Sequence, residues 1–169
     1  SSDAANAWRH MAAQGNDLNQ KVGLLVSAWH TGRYDQWSTD PYPLEKHFEK
    51  IKTDKADELI GVCEESIRGN DQGTASAAVR RYLELGFETE PVFELMRKYA
   101  ISEDGRLHSE KFFRTVREEF KFARPALRWR QLVALARVTA SAFGYDVKDN
   151  HGYRAPGYED ACNLLKVKV

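Results

Sequence analysis

The sequence predicts an all-α chain of antiparallel helix pairs, packed as an irregular bundle or a short α-solenoid-like stack of about eight or nine helices. Three observations carry that reading. Apolar residues recur at a helical period of about 3.6 along most of the chain. Glycine, proline and capping residues interrupt that period every 16 to 20 residues or so, which leaves short connections and makes neighbours antiparallel. One segment, 125–143, is apolar around nearly its whole circumference, as a helix in the middle of a fold must be.

An opening helix is expected from Asp3 to Gln14, ending at Gly15. Asn16 or Asp17 then caps a second helix, whose stripe Leu18, Val22, Leu25, Val26 and Trp29 is expected to be buried and which Gly32 closes. The segment 33–43 is the least regular. Pro41 and Pro43 lack amide donors and push their predecessors out of helical geometry. Its aromatics Tyr34, Trp37 and Tyr42 suit either a loop folded back on the body or an anchor for a protein partner, because aromatics dominate interface cores. A short helix from Leu44 to Lys52 should follow.

From Thr53 the pattern tightens. Thr53 caps a helix with the stripe Ala56, Leu59, Ile60, Cys63 and Ile67, closed by Gly69. Gly73 and Thr74 open another, with Ala75, Val79, Tyr82 and Leu83, closed by Gly86. Thr89 and Pro91 open a third, with Val92, Phe93, Met96, Tyr99 and Ala100. The turn Ser102–Gly105 leads to a fourth, with Phe112, Phe113, Val116 and Phe120. Pro125 sits in the first turn of a fifth that runs to Phe143 and stops at Gly144. Here Leu127, Trp129, Leu132, Val133, Leu135, Ala136, Val138, Ala142 and Phe143 cover most of the wheel, and Arg130, Arg137 and Ser141 form the polar strip. These features make 125–143 the expected most buried helix. After a Gly- and Tyr-rich stretch, a last short helix should run from Glu159 to Lys166. The whole reads as one helical domain over 1–169, with N-terminal helices and aromatic loop at 1–43, a helix-pair core at 44–143 and a tail at 144–169. Paired helices give a period of about 36 residues, like tetratricopeptide arrays in length only, since that repeat's Trp, Leu-Gly and Pro signature is missing.

Composition narrows the function. Lys+Arg and Asp+Glu each number 25, so no global field draws the chain to nucleic acid or anionic lipid. Apolar runs such as 22–26 and 132–136 fall far short of the roughly 20 residues a membrane span needs. A chain that opens on Ser1 with no cleavable signal pattern reads as processed or excised from something longer. Two cysteines do not make a disulfide framework, and Cys63 lies on an apolar stripe, so a buried thiol in a reducing, cytoplasmic setting is expected.

Chemistry-bearing motifs are few. There is no glycine-rich phosphate loop, His-Glu-x-x-His, Cys-x-x-Cys or Gly-x-Ser-x-Gly, and the histidines are not spaced as metal ligands. Residues 102–112 resemble half of an EF-hand loop. Aligning Gly105 with the loop glycine, however, puts Ala100 and Lys111 at the first and twelfth ligand positions, so calcium is not expected. Gly105 is expected in a strained turn conformation. One polar constellation stands out: His108 and Glu119 lie along one line of the 106–122 helix, and Arg128 falls within the apolar arc of the next. A buried Glu119–Arg128 pair that fixes packing is the expectation. The alternative is a pocket in which Arg124 and Arg128 hold an anion and His108 or Glu119 moves a proton. Arg124, Arg128 and Arg130 around Trp129 also fit nucleic-acid stacking, but Glu118 and Glu119 beside them and the neutral chain argue against it.

The sequence therefore points to a non-enzymatic helical module that binds another protein or a second copy of itself, with no cofactor and no metal. A small-molecule-binding or oxidoreductase-associated domain built on His108, Glu119, Arg124 and Arg128 is the alternative.

Overall fold

A computed structural model describes residues 2–32, 42–43, 45–144 and 156–168 of the chain, so Tyr34 and Trp37 lie outside the described residues. Among those residues the fold is all-α, with nine α-helices: α1 (Ser2–Ala13), α2 (Asp17–Gly32), α3 (Glu45–Phe48), α4 (Ala56–Arg68), α5 (Gln72–Glu84), α6 (Glu90–Ala100), α7 (Arg106–Phe122), α8 (Arg128–Ala142) and α9 (Tyr158–Leu165). Within the stretch the sequence reads as one domain, the chain divides into two compact units, Ser1–Asp40 and Pro41–Val169.

In the first unit α1 and α2 form a hairpin. The Asn16 side chain accepts the Asn19 amide at 3.0 Å, as the sequence predicts for the start of α2. The contact face of α2 is not the predicted one. Gly23 is buried against α1, where a Cβ would stand 2.8 Å from the Ala12 Cβ. Ser27 Oγ donates to the Ala5 carbonyl at 3.2 Å, and the His30 ring stacks on Trp8 with centroids 6.5 Å apart. Small and polar residues let the two backbones approach. The expected buried stripe instead faces outward, with Leu18, Val22, Leu25 and Trp29 exposed and Val26 half-buried.

In the second unit α8 packs against α4, α5, α6 and α7. Leu132, Val133, Leu135, Ala136, Thr139 and Ala140 are its buried residues, and Arg130, Arg137 and Ser141 are exposed as the wheel requires. It is not, however, the most enclosed helix. That place belongs to α5, where every residue from Gly73 to Val79 is buried, together with Tyr82. The run Gly-Thr-Ala-Ser-Ala-Ala has little hydrophobicity per residue, so the periodic signal understates it. Its small side chains allow close approach, and Ser76 Oγ reaches the Val133 carbonyl on α8 at 3.4 Å. Around these two helices Leu59, Cys63, Ile67, Phe93, Met96, Tyr99 and Val116 complete the core. Phe93 meets Phe120 and Phe113 edge-on at 5.3 and 6.2 Å.

Several boundaries differ from expectation by a residue or two, each for a local reason. Asp71, rather than Gly73 or Thr74, caps α5, accepting the Thr74 amide at 3.0 Å and its hydroxyl at 2.8 Å. Thr53 does not cap α4. It sits two residues earlier, accepting the Lys55 amide, while Lys55 holds the cap position. After α4 the left-handed residue is Asn70 (φ 54°), not Gly69. Its side-chain amide donates to the Ala140 and Phe143 carbonyls at 2.9 and 2.8 Å, which fastens the α4–α5 turn to the end of α8. Pro125 opens a 3₁₀ turn, Pro125–Leu127, rather than α8 itself. Gly86 and Gly144 do adopt positive φ at their helix ends. No described helix is long and apolar enough to cross a membrane.

Candidate functional site

The predicted His108, Glu119, Arg124 and Arg128 cluster does not assemble. His108 is exposed in the first turn of α7, and Glu119 is half-buried near its end. At 1.5 Å of rise per residue, the 11 positions between them span roughly 16 Å, too far for one ligand to bridge as a proton-transfer site. Arg124 is exposed in the connection. The Arg128 guanidinium turns back on the end of α7, where Nε donates to the Ala123 carbonyl at 3.1 Å and Nη2 to that of Lys121 at 3.5 Å. It also lies 5.6 Å from the centre of the Phe120 ring. The partners described for Arg128 are these main-chain carbonyls and this ring, rather than the expected Glu119 carboxylate. A cation that hydrogen-bonds the free carbonyls of a helix C-terminus is satisfied there, so Arg128 needs no carboxylate to be half-buried.

Tyr42, the one predicted partner anchor among the described residues, is half-buried on the second unit. The Arg137 guanidinium lies 4.1 Å from its ring centre and His47 meets it edge-on at 5.4 Å. Burial raises its phenol pKa, and the positive charge of Arg137 offsets part of that. His47 in turn presses on Gly73, where a Cβ would fall 2.6 Å from the ring. The aromatic loop thus ends as packing against the start of α5.

A second polar cluster, which the sequence reading did not single out, ties α4 to α6 and α9. Glu64 Oε1 accepts from Lys98 at 3.2 Å and from the Tyr99 hydroxyl at 3.4 Å and forms an ion pair with Arg68 at 3.5 Å, while Arg68 also meets Glu159 at 2.7 Å. Burial, then the Glu64 carboxylate, pushes the Tyr99 phenol up, so it stays protonated and donates. The cleft over these residues holds about 180 Å³, below the roughly 300–1,000 Å³ of small-molecule sites. Its two cations, Arg68 and Lys98, are spent on Glu64 and Glu159, and its chemistry is that of a fastening.

The neighbouring turn completes that fastening and opens a larger space. Gly105 has φ −113°, not the strained conformation expected. Its need for glycine is steric, since a Cβ would lie 2.2 Å from Ser109 Oγ and 2.7 Å from the Tyr99 carbonyl. Asp104 receives the Tyr158 amide at 2.8 Å and the Ser102 hydroxyl at 3.1 Å, and its main-chain carbonyl accepts from Gly144 at 2.9 Å. The Glu103 amide donates to the Pro156 carbonyl at 3.1 Å. Asp160 accepts the Gly157 amide at 3.0 Å, which closes the first turn of α9.

Held this way, α9 faces the end of α6 and the start of α7 across a groove of about 600 Å³. Ala100 and Cys162 are buried at its base, while Ile101, Leu107 and Leu165 stand 68%, 56% and 72% exposed along it. Glu103 and Glu110 line it too, and its described lining includes no Lys, Arg or His. Neither carboxylate makes an ion pair or side-chain hydrogen bond among the described residues. A comparable space beside α3 and α5, about 590 Å³, differs in this respect. There Arg81 pairs with Asp54 at 2.7 Å and Arg80 with Glu84 at 2.8 Å, so it offers little unbalanced charge.

The groove residues were legible only in part. Ile101 and Leu107 lie off the apolar stripes of α6 and α7, and large apolar residues flanking a polar turn were the available signal. That α9 would stand opposite them depends on Asp104 and Pro156, which are far apart in sequence. Among the described residues no three His, Cys, Asp or Glu side chains gather to hold a metal ion. No family model, curated protein or solved structure matches this chain.

Proposed function

We propose that the protein is a non-enzymatic interaction module whose α6–α7–α9 groove receives an amphipathic helix of another protein, with basic residues beside its apolar face. The groove carries this reading: exposed Ile101, Leu107 and Leu165 supply an apolar track, and Glu103 and Glu110, which have no ion pair among the described residues, supply negative charge along it. Helix-in-groove recognition uses apolar anchors at i, i+3 or i+4, and i+7, which suits such a track. Electrostatic complementarity then selects among apolar helices and speeds encounter. The charged clusters at Glu64, Arg68 and Lys98 and at Arg80 and Arg81 are paired within themselves, which favours binding over bond-making chemistry.

The test uses two synthetic helical peptides with one apolar pattern, one carrying Leu and Lys and the other Leu and Glu. Amide chemical shifts of the full chain are followed as each is added. The Lys peptide is expected to bind, with shifts confined to residues around Ile101, Leu107 and Ala161–Leu165. Glu103→Gln with Glu110→Gln should weaken it several-fold and flatten its salt dependence, and Leu107→Asp should abolish it. Equal binding of both peptides, or shifts that avoid the groove, would overturn the proposal.

A further inference from the structure

A different surface points to a partner of another kind. On α2, residues Leu18, Val22, Leu25 and Trp29 recur at i, i+4, i+7 and i+11, so they fall within roughly 60° of the helix circumference. They are 69%, 46%, 72% and 60% exposed. The opposite face of the helix, with Gly23 and Ser27, is the one spent on α1. The stripe presents roughly 500 Å² of side-chain surface, at the upper end of the largest apolar patches that monomers ordinarily carry.

We infer that this stripe pairs with the same stripe of a second copy of the chain, so that two hairpins join through antiparallel α2 helices with each α1 on the outside. Three features of the hairpin single out that occupant. Among its described residues only Asn6, Ala12 and Gly23 are buried, and none of them is a large apolar side chain. Units of fewer than about 40 residues generally need staples or oligomerisation to stay folded, and a second hairpin is the simplest source of a core. Charge permits it: the first 32 residues contain only Asp3, Arg9, Asp17 and Lys21, which cancel, so like meets like without repulsion. Area is sufficient, because two stripes face to face remove about 1,000 Å², the threshold for a specific interface.

Isologous symmetry together with the fullest overlap of the two stripes sets the register. In an isologous contact the two-fold axis passes midway along the stripe, between Val22 and Leu25. Val22 then meets Leu25 of the second copy, and Leu18 meets its Trp29, setting the smaller side chain against the larger at the ends.

Light scattering on the full chain should give twice the 19.3 kDa chain mass, falling toward the monomer on dilution. Leu25→Glu with Trp29→Glu should give a monomer whose amide protection over residues 56–142 is unchanged. Should that variant misfold, cysteine pairing keeps the test open. An oxidised mixture of Val22→Cys and Leu25→Cys chains should form a covalent heterodimer, and Leu24→Cys, which lies off the stripe, should not. A wild-type mass of one chain at all concentrations would overturn the inference, as would a dimer that survives the double substitution.

Discussion

The Asp104 carboxylate accepts the main-chain amide of Tyr158 at 2.8 Å across 54 residues of sequence, and this bond holds one wall of the groove. A hydrogen bond to a charged acceptor contributes about 1.5–3 kcal/mol. Asp104→Ala should therefore release α9 while the rest of the second unit stays folded. Hydrogen exchange should show protection lost over Tyr158–Leu165 and kept in α5 and α8. Gly157→Ala should act the same way, because its Cβ would lie 2.4 Å from Asp104 Oδ1. Global unfolding in both variants would mean that α9 is part of the core.

The core places its most sensitive positions on two helices for opposite reasons. Leu132→Ala or Leu135→Ala, at fully buried sites on α8, should each cost about 2–5 kcal/mol by leaving a cavity. On α5 the harm comes from enlargement: Ala77→Leu, at a site with no exposure, should cost about 1–3 kcal/mol through displaced neighbours. Denaturant titration measures both. Losses below about 1 kcal/mol at all three positions would contradict the packing described.

Asp71 gives the cleanest pH signature. Burial works to raise its carboxyl, but hydrogen bonds from Lys50 and from the Thr74 amide and hydroxyl overcome it and hold the group at about 2. A depressed folded value means that the stabilisation is complete above the unfolded value of about 3.9 and disappears as pH falls through the folded one. With the side chain 35% exposed, screening reduces the effect, and the N-cap loss in Asp71→Ala should be about 1 kcal/mol at pH 7. The gap between wild type and variant should hold down to about pH 4 and narrow toward pH 2. A constant gap over that range would show that the ionised form makes no special contribution.

Arg128 separates two accounts of one residue. Its guanidinium serves the Ala123 and Lys121 carbonyls and not Glu119, so Arg128→Met should cost about 1 kcal/mol. Adding Glu119→Leu should not recover that loss, and the two effects should add within about 0.5 kcal/mol. A double-mutant cycle measures this directly, and a coupling above about 1 kcal/mol would restore the ion pair.

The legible part of the fold is the part that rests on local pattern. Helix existence followed from apolar period and from punctuation at Gly86, Pro91 and Gly144, because each acts within one turn of its own position. Pattern failed where burial depends on what a helix meets. The stripe on α2 looks like a core face, yet the hairpin closes through Gly23 and Ser27, since small residues let backbones approach where leucines would hold them apart. The same physics hid α5, whose alanines and serine carry little hydropathy and are buried by fit. For Arg128 a helix wheel points to a carboxylate, because it compares side chains with side chains and leaves out the open carbonyls at the end of α7. The groove needed a contact between Asp104 and Tyr158 that no periodicity records.

Both thiols of the chain are buried, Cys63 in the core at 1% exposure and Cys162 on α9 at 7%. They therefore behave as two clocks of different reach. A bulky thiol reagent should reach Cys162 whenever the short terminal helix lifts away, an excursion that breaks a few bonds around Asp104. It should reach Cys63 only when α4 leaves the bundle, which requires nearly global opening. The ratio of the two labelling rates is thus a native, tag-free readout of how often the groove loses one of its walls without the molecule unfolding.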